Sequence, residues 1–293
     1  MLRALIAAAM LVTPAWAEEP TRVVGIGGSA TEIAYAIGAG DLLIGRDSSS
    51  SYPPEALALP DVGYMRQLSP EGVLAATPDL ILAEEGAGPP QAVEVLKSAN
   101  VRYVELPEPR DAAGIVARIT AAGEALGREA EAASVARQVE ADLDAAAALV
   151  AADQRTPPRV LFVLSVQGGR IMAGGADTSA DTMVRLAGGE NAAAEMQGWK
   201  AITDEAILTA APDVVVMMQR GDPAADEAAG GSSVEIARAN VLGHPAIAAT
   251  PAGRNGAFVM MDGLYLLGMG PRAGKAAMAL HEAIHGEPPG NAP

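Results

Sequence analysis

The chain has 293 residues, no cysteine and a formal net charge of −16, and half of its residues are apolar although only 3% are aromatic. This length suggests two domains, and the apolar content excludes wholesale disorder. The negative charge argues against nucleic acid or an anionic lipid surface as the main partner. Because cysteine is absent, the sequence excludes disulfides, thiolate metal sites, cysteine nucleophiles and lipid attachment through a cysteine.

The first residues have the pattern of a secretory signal peptide. Arg3 precedes an apolar run from Ala4 to Val12, and Ala15-Trp16-Ala17 is a small-x-small cleavage site. The apolar run is too short to span a bilayer, which needs about 20 residues. We therefore expect cleavage after Ala17 and a mature chain in a Gram-negative periplasm, without stable insertion in the membrane.

A segment of the first half of the chain recurs in the second half. Leu68–Leu82 and Ile202–Val216 align without a gap at an offset of 134 residues. Each copy predicts a capping hydroxyl (Ser69 or Thr203), about two turns of helix, a Pro-Asp break and a buried strand. The repeat therefore indicates two halves of similar design.

Capping-box spacing predicts a further helix start in each half. Ser29 and Thr178 each follow a strand-like run, and a carboxylate stands three residues after each of them, at Glu32 and Asp181. Strands that alternate with helices predict mainly parallel sheets covered on both faces. The predicted fold is thus α/β, with two Rossmann-like lobes and a ligand cleft between them.

The segment between the two halves is predicted to form one long helix. Arg128–Ala152 is rich in Ala and Glu, and apolar residues recur every four positions at Val135, Val139 and Leu143. A helix of this length extends about 37 Å and can bridge two lobes. The predicted organisation is a signal peptide (1–17), an N-terminal lobe (18–127), a bridging helix and linker (128–156), a C-terminal lobe (157–286) and a disordered tail (287–293).

A glycine-rich stretch in the first half is similar to a dinucleotide-binding motif. It runs from Gly25 to Ala30, and Asp47 stands where the ribose-binding acid belongs. Glu32, however, lies in the first turn of the predicted helix, where it would repel a pyrophosphate. We therefore expect a tight turn at the edge of the cleft and keep a dinucleotide-dependent oxidoreductase as an alternative.

The histidines do not form an obvious metal site in the sequence. His281 and His285 have the spacing of a metal-binding pair on a predicted final helix, but no third ligand is apparent nearby. His244 stands before Pro245 in a predicted loop. We interpret the pair as solvated side chains on the helix surface. Because the chain also lacks a hydrolase nucleophile elbow, we predict that it is not an enzyme.

An aromatic residue and a cation stand ahead of each repeated helix. They are Tyr64 and Arg66 in the first half, and Trp199 and Lys200 in the second. In extended backbone, residues 64 and 66 point to one side, so that Arg66 can hydrogen-bond the Tyr64 oxygen and favour its phenolate. A phenolate suits ferric iron, and tyrosine is a haem ligand. On spacing alone, a tyrosine ring packed on its own lobe is the alternative.

The chain resembles the periplasmic haem-binding proteins of ABC haem importers over essentially the whole mature sequence. The resemblance rests on GYMRQLSPEGVLAATPDLIL (63–82), GWKAITDEAILTAAPDVVVM (198–217) and MDGLYLLGMGPR (261–272). It implies two lobes bridged by one long helix, with haem b held in the cleft as the transported ligand. It also implies that Tyr64 is the axial ligand of the haem iron and that Arg66 is its hydrogen-bonding partner.

In such importers, one acidic residue per lobe docks onto arginines of the permease dimer. The resemblance assigns this role to Glu71 and Glu205, which are 134 positions apart. The alternative is that both are ordinary first-turn acids, which the helix dipole favours.

The remaining haem contacts are less determined by the sequence. No histidine occurs between Leu164 and Gly198, so the iron is expected to be five-coordinate or to take another ligand such as Met172. The propionates need nearby cations. The candidates for further haem contacts are Trp199, Lys200, Arg170, Met172, Tyr265 and Arg272.

The sequence therefore predicts a non-enzymatic, monomeric carrier that captures ferric haem in the periplasm and delivers it to the permease dimer of an ABC importer. Two other kinds of protein stay open besides the oxidoreductase. One is a ferric-siderophore or cobalamin receptor of the same transporter class, which needs no iron ligand from the protein. The other is a structural or sensory periplasmic module.

Overall fold

The computed structural model describes residues 19–219 and 232–286. The predicted signal peptide and the predicted tail lie outside the described residues. Among the described residues, no helix has both the length and the hydropathy that a membrane crossing requires.

Strands alternate with helices in both halves of the chain. The first half contains β1 (Val23–Ile26), α1 (Gly28–Ala36), a 3-10 turn (Gly40–Leu42), β2 (Leu43–Arg46), a second 3-10 turn (Pro54–Ala58), α2 (Pro70–Ala75), β3 (Leu80–Glu84), α3 (Pro90–Ser98), β4 (Arg102–Leu106), α4 (Ala112–Leu126) and α5 (Glu129–Ala152). The second half contains β5 (Arg159–Gln167), β6 (Arg170–Gly174), α6 (Ser179–Leu186), β7 (Glu190–Asn191), β8 (Trp199–Ile202), α7 (Asp204–Ala210), β9 (Val214–Gln219), α8 (Ser232–Leu242), α9 (Pro245–Ala248), α10 (Pro251–Asn255), β10 (Phe258–Asp262), α11 (Gly263–Leu267) and α12 (Ala273–His285).

Each half builds its own β-sheet. The first sheet has the order β2-β1-β3-β4, and all its pairs are parallel. The second has the order β10-β9-β5-β6-β8, in which β6 pairs antiparallel with both of its neighbours. The predicted α/β class with two lobes is thus confirmed, although the second sheet is mixed. Gly168 and Gly169 join β5 to β6 with φ of 57° and 75°, the left-handed backbone that a two-residue hairpin requires.

The two copies of the sequence repeat adopt the same local structure. The Ser69 hydroxyl accepts a hydrogen bond from the backbone N of Gly72 at 3.4 Å, which caps α2. The Thr203 hydroxyl accepts one from the backbone N of Ala206 at 3.2 Å, which caps α7. The predicted caps and the short helices that follow them are therefore confirmed.

The repeated Pro-Asp break fastens each short helix to the start of a neighbouring strand. The carboxylate of Asp79 accepts a hydrogen bond from the backbone N of Arg22 at 3.1 Å, just before β1. The carboxylate of Asp213 accepts one from the backbone N of Arg159 at 2.9 Å, at the first residue of β5. In both copies the residue two positions before the aspartate has a left-handed backbone, with φ of 52° and 43°. The repeated aspartate thus has the same structural role in both lobes, since it joins the end of a short helix to the start of a neighbouring strand.

The predicted capping box at Ser29 is wrong. Helix α1 begins at Gly28, with Gly27 as its N-cap residue, and no side-chain cap is formed there. A carboxylate from the end of β3 takes that place, because Oε1 of Glu84 accepts hydrogen bonds from the backbone N of Ser29 at 2.6 Å and of Ala30 at 3.2 Å. This carboxylate fills the position that a pyrophosphate would need at the helix N-terminus, which argues against the dinucleotide alternative.

The predicted capping box at Thr178 is half formed. The Thr178 hydroxyl accepts a hydrogen bond from the backbone N of Asp181 at 3.1 Å and caps α6. The Asp181 carboxylate does not return the bond. It accepts hydrogen bonds from Nδ2 of Asn191 at 2.9 Å and from Nε of Arg185 at 3.2 Å, which ties α6 to β7.

One apolar core runs through both lobes. The bridging helix is present as α5, and its predicted apolar stripe is confirmed because Val139 and Leu143 are buried while Val135 packs at the margin. Helix α5 packs against α4 of the first half and α12 of the second. The same buried cluster includes residues of β1, α1, β5 and α6. Since the lobes share a core, we expect less relative movement than two flexible strand hinges would allow.

Tyr103 on β4 has a buried hydroxyl without a hydrogen-bond partner in the described part of the chain. Burial, with the charge of Glu105 as a smaller cause, raises the pKa of this phenol from 10.0 to about 12. We expect Tyr103→Phe to raise the free energy of unfolding by about 1 kcal/mol at pH 7, since the variant no longer buries an unpaired hydroxyl.

The pH dependence provides a second test of the same substitution. A raised pKa means that the folded protein keeps the phenol proton where the unfolded chain has lost it, so wild-type stability falls between pH 10 and about 12. Tyr103→Phe should lose less stability over that interval in urea denaturation. Equal stability of the two proteins at both pH 7 and pH 11 would contradict the prediction.

Candidate ligand-binding site

The carboxyl ends of the parallel strands of both sheets meet at the boundary between the lobes. The loop after β1 leads into α1 at this edge of the first sheet, and α11 follows β10 at the corresponding edge of the second. A Cβ atom at Gly28 would lie only 2.5 Å from Cδ1 of Leu264, so the start of α1 contacts α11. Crevices outside the carboxyl ends of parallel strands are the usual ligand sites of α/β proteins. This edge is therefore the candidate site.

The fully buried Asp47 holds together three loops at this edge. Its Oδ1 accepts hydrogen bonds from the backbone N of Gly27 at 2.9 Å and from the hydroxyl of Ser50 at 2.8 Å. Its Oδ2 accepts from the backbone N of Ser49 at 3.0 Å, from the Ser49 hydroxyl at 2.7 Å and from the backbone N of Met65 at 3.2 Å. In the sequence Asp47 stood out only as a ribose-binding candidate. In the fold its carboxylate faces the protein backbone.

Tyr64 and Arg66 lie on a turn whose central residue is anchored. The backbone N of Gln67 donates to the carbonyl of Tyr64 at 2.8 Å and closes the turn. The prediction of extended backbone here is wrong, because this hydrogen bond folds residues 64–67 into a turn. The Met65 side chain is buried, and its backbone N is held by Asp47. The turn exposes both predicted site residues, and 46% of Tyr64 is accessible.

The Tyr64 phenol has no partner among the residues that the structure describes. Arg66 forms no hydrogen bond with it there; the Arg66 guanidinium lies near Gly86, where a Cβ atom would be 3.6 Å from Nη1. Two backbone hydrogen bonds of 2.8 Å join Gly88 to the turn, one through its N and one through its carbonyl. The phenol is thus an accessible donor on a fixed backbone.

A bidentate ion pair links the lobes beside the candidate site. Nε and Nη2 of Arg272 donate to the two carboxylate oxygens of Glu32 at 2.8 and 2.9 Å, and Glu32 is 4% exposed. The guanidinium also lies 3.6 Å from the ring centroid of Tyr52 and 5.1 Å from that of Tyr265. Burial raises the pKa of Tyr265, and the Arg272 charge opposes this shift. Arg272 is therefore already paired before any ligand arrives.

A second buried cation connects the same two lobes. Nη1 of Arg118, on α4, donates to the Ser29 hydroxyl at 2.8 Å and to the carbonyl of Gly268 at 3.2 Å. It also lies 3.8 Å from Oε2 of Glu84. Burial raises the pKa of Glu84 and lowers the pKa of Arg118, while the charge of each group opposes the other's shift. The Glu32–Arg272 ion pair and the hydrogen bond from Arg118 to Gly268 therefore both connect the two lobes, and the sequence had singled out neither Glu84 nor Arg118.

Four of the other predicted contacts lie on adjacent strands of the second sheet. Arg170 and Met172 belong to β6, while Trp199 and Lys200 belong to the edge strand β8 rather than to the predicted loop. The Trp199 ring packs edge-on against Phe162, with centroids 5.7 Å apart and an interplanar angle of 71°. Arg170 and Lys200 are exposed, and Met172 is half-buried. Strand β8 lies at the opposite edge of the sheet from β10, which leads into α11.

Glu71 and Glu205 occupy equivalent positions in the two lobes. Each is exposed in the first turn of its helix, α2 or α7. The strands β3 and β9 follow these helices and begin at the amino edges of their sheets, so both helices begin at the carboxyl edges, on the side of the candidate site. Neither carboxylate forms a hydrogen bond or an ion pair with another residue in the described ranges.

Two α/β lobes that share a core through one long helix, with the ligand crevice where their strand ends meet, define a two-lobed substrate-binding protein. The family model described as "Periplasmic binding protein" matches residues 23–264, and the chain belongs to this family. Membership implies a substrate-binding role outside the cytoplasm.

Three solved structures with the same fold are all described as periplasmic haem-binding proteins. BhuT in complex with two haems is 38% identical, with a TM-score of 0.80 over 90% of this chain and 97% of that chain. Apo RhuT from Roseiflexus sp. RS-1 is 36% identical, with a TM-score of 0.80 and the same coverage. The protein from Pseudomonas aeruginosa is 33% identical, with a TM-score of 0.79 over 91% and 93% of the two chains. These similarities confirm the resemblance seen in the sequence.

Curated relatives are similar at lower identity. The uncharacterized ABC transporter substrate-binding lipoprotein YvrC of Bacillus subtilis (strain 168) is 30% identical over 201 residues, which is 68% of this chain. This chain spans 64% of that relative's length. The vitamin B12-binding protein of Yersinia pestis (strain Pestoides F) is 28% identical over 215 residues, covering 73% of this chain and 74% of that protein.

Proposed function

We propose that this chain is a non-enzymatic carrier that binds ferric haem b in the cleft between its lobes and delivers it to the permease of an ABC importer. The observation that carries the proposal is the 33–38% identity to three haem-binding proteins over about nine-tenths of the chain. Because this similarity includes both lobes, it extends over both walls of the cleft. The haem is cargo, so the protein needs to bind it firmly and still release it.

Tyr64 is the residue that we assign to the haem iron. Its exposed phenol stands on a turn whose backbone is held by Asp47 and Gly88. An ionised phenol is a hard anionic donor that suits ferric iron. Arg66, in the same turn, is the side chain that we assign as hydrogen-bonding partner of the Tyr64 oxygen once the iron is bound. The Tyr64 phenol is thus held at the edge of the cleft by a fixed backbone before the haem binds.

The propionates and the porphyrin faces require different side chains. We assign the propionates to Arg170 and Lys200, because both cations are exposed and form no ion pair in the described part of the chain. We assign porphyrin contacts to Trp199, Met172 and Tyr265. Apolar and polarisable side chains of this kind suit the flat faces of a macrocycle.

The sequence presented Arg272 as a candidate haem contact, but we propose a positioning role for it. Since Glu32 already compensates that charge, we assign Arg272 to positioning Tyr52 and Tyr265 beside the cleft, and not to a propionate. A stacked guanidinium holds an aromatic ring without needing a hydrogen bond to it.

Titration of the purified mature protein with haemin and, separately, with cyanocobalamin tests the cargo. Cobalamin is the alternative that the similarity to a vitamin B12-binding protein supports. We expect a saturating Soret change with haemin and no binding of cyanocobalamin at the same concentrations. A protein that binds cyanocobalamin and leaves haemin free would overturn the proposal.

We also propose that Glu71 and Glu205 contact the permease, one from each lobe. Glu71→Lys and Glu205→Lys should each slow haem transfer into vesicles that contain the cognate permease by about tenfold or more, since loss of an interfacial charge pair costs at least about 1.4 kcal/mol. Haemin affinity should stay unchanged. Glu94→Lys, at another exposed position of the first lobe, is the control. Transfer at the wild-type rate in both glutamate variants would contradict this assignment.

The cellular setting completes the proposal. The family lies outside the cytoplasm, and the signal-peptide pattern that ends at Ala17 supports export to a Gram-negative periplasm with cleavage after that residue. The mature chain is proposed to act as a monomer. We keep the boundaries of the lobes at residues 18–127 and 157–286, with 128–156 as the bridging segment.

A further inference from the structure

Three side chains from two distant parts of the chain converge where the bridging helix ends. Asp153 directly follows α5, and His281 and His285 lie in the last turns of α12. Oδ2 of Asp153 lies 3.4 Å from Nε2 of His281 and 3.5 Å from Nδ1 of His285. One ligand atom from each of the three residues falls within 4.8 Å of the others. The interpretation of the histidines as solvated surface side chains is wrong, since both side chains are buried.

The spacing of these atoms fits a shared cation better than direct hydrogen bonds. N–H···O hydrogen bonds usually have lengths of about 2.7–3.2 Å, and both distances to Asp153 are longer. Zinc binds imidazole nitrogen and carboxylate oxygen at about 2.0–2.2 Å, and two such ligands of a tetrahedral ion lie about 3.4 Å apart. The observed separations therefore match two edges of a tetrahedron around one ion.

Neighbouring groups hold two of the three side chains, His281 and Asp153, in ligand orientation. Nδ1 of His281 lies 2.9 Å from the carbonyl of Ala187, so Nδ1 carries the hydrogen and Nε2 offers its lone pair towards Asp153. A carbonyl behind a histidine is a common outer-shell partner in metal sites. Arg155 donates to Oδ1 of Asp153 at 2.9 Å and to Oδ2 at 2.7 Å, which fixes the carboxylate. The charge of Arg155 opposes a cation, so we expect micromolar affinity.

We propose that Asp153, His281 and His285 bind one divalent transition-metal ion, with Zn²⁺ as the best match to the two imidazoles and one carboxylate. The site is separate from the haem cleft, because the histidines lie about 13 and 20 Å beyond Arg272 along α12. The ion would tie the end of the bridging helix to the last helix of the second lobe. A surface pocket beside Asp153 and His281 leaves room for water as the fourth ligand, and its other lining residues are Leu149, Ala152 and Arg155.

Calorimetric titration of the haem-free, tag-free mature protein with ZnCl₂ tests the site. We expect one Zn²⁺ per chain at micromolar affinity and at least tenfold weaker binding in Asp153→Asn and His285→Gln. His244→Gln is the matched control, since Nε2 of His244 bonds the Gly169 carbonyl outside the cluster. Tyr64→Phe should also bind Zn²⁺ normally, which separates this site from the haem ligand.

Two further readouts keep the test independent of folding defects in the variants. Zn²⁺ should raise the melting temperature of the wild type and of His244→Gln but not that of His285→Gln. Co²⁺ should give the visible absorption bands of a tetrahedral ion in the wild type and lose them in His285→Gln. No stoichiometric Zn²⁺ binding by the wild type, or equal binding by the wild type, Asp153→Asn and His285→Gln, would overturn the proposal.

Discussion

Asp47→Asn is expected to lower the free energy of unfolding by about 3 kcal/mol and to weaken haemin binding about tenfold or more. The wild-type carboxylate is fully buried and accepts five hydrogen bonds from Gly27, Ser49, Ser50 and Met65. An amide turns one acceptor into a donor that faces these N–H and O–H groups. Several buried donors then lose their partner, and the backbone next to Tyr64 loses its anchor.

Urea denaturation and haemin titration of the same variant separate the two effects. Asp41→Asn is the control, because Asp41 is exposed on a neighbouring surface turn of the same lobe and should change neither quantity. A stability loss with wild-type haemin affinity would show that Asp47 supports the fold and does not position the Tyr64 turn. A wild-type free energy of unfolding together with wild-type haemin affinity would contradict the claim that Asp47 holds together the loops at the edge of the site.

Arg272→Met is expected to lower the free energy of unfolding by about 3–4 kcal/mol, since it leaves the buried carboxylate of Glu32 without its counter-charge. Replacing both partners, as Glu32→Gln with Arg272→Met, should recover most of the loss because no uncompensated charge remains buried. The lobes should then still dock through their shared apolar core. Arg137→Met, on the exposed face of α5, is the control for removal of an arginine.

A double-mutant cycle by urea denaturation measures this coupling. The expected coupling energy between residues 32 and 272 is about 2 kcal/mol or more, well above the range typical of exposed pairs. Additive effects of the two substitutions would show that the ion pair does not hold the lobes together, and the role given to Arg272 would fail with it.

The parts of the fold that depend on neighbouring residues could be predicted from the sequence. Ser69 and Thr203 cap their helices through bonds to residues three positions away. The apolar stripe of α5 likewise repeats within one helix. The Gly168-Gly169 pair is a hairpin signal in the sequence as well, and it accounts for the antiparallel strand β6, which the prediction of mainly parallel sheets did not place.

The predictions that were wrong concern residues whose partners lie far away in the sequence. Glu84, which takes the place of a local cap at α1, is 55 residues from Ser29. Arg272 is 240 residues from Glu32. No periodicity connects such positions, so the sequence presented Glu32 as half of a capping box, whereas the fold uses it as the buried anion between two lobes.

The predictions for Tyr64 and for the histidine pair were also limited by contacts between residues that are distant in the sequence. The residue type at Tyr64 was readable from its loop, but the shape of the turn was not, because the Met65 backbone is held by an aspartate 18 residues earlier. His281 and His285 were readable as a pair on one helix. Their acidic neighbour Asp153 belongs to the end of a different helix, so the third ligand became visible only in the fold.

The absorption and electron paramagnetic resonance spectra of the haemin-loaded protein test most directly whether Tyr64 binds the iron. The wild type should show high-spin ferric haem with tyrosinate charge-transfer absorption. Tyr64→Phe should lose that absorption and bind haemin about 100-fold more weakly, equivalent to about 2.7 kcal/mol. Tyr103→Phe, which removes a buried hydroxyl of the same lobe, should keep the wild-type spectrum. Identical spectra and affinities for the wild type and Tyr64→Phe would contradict the assignment of this phenol to the iron.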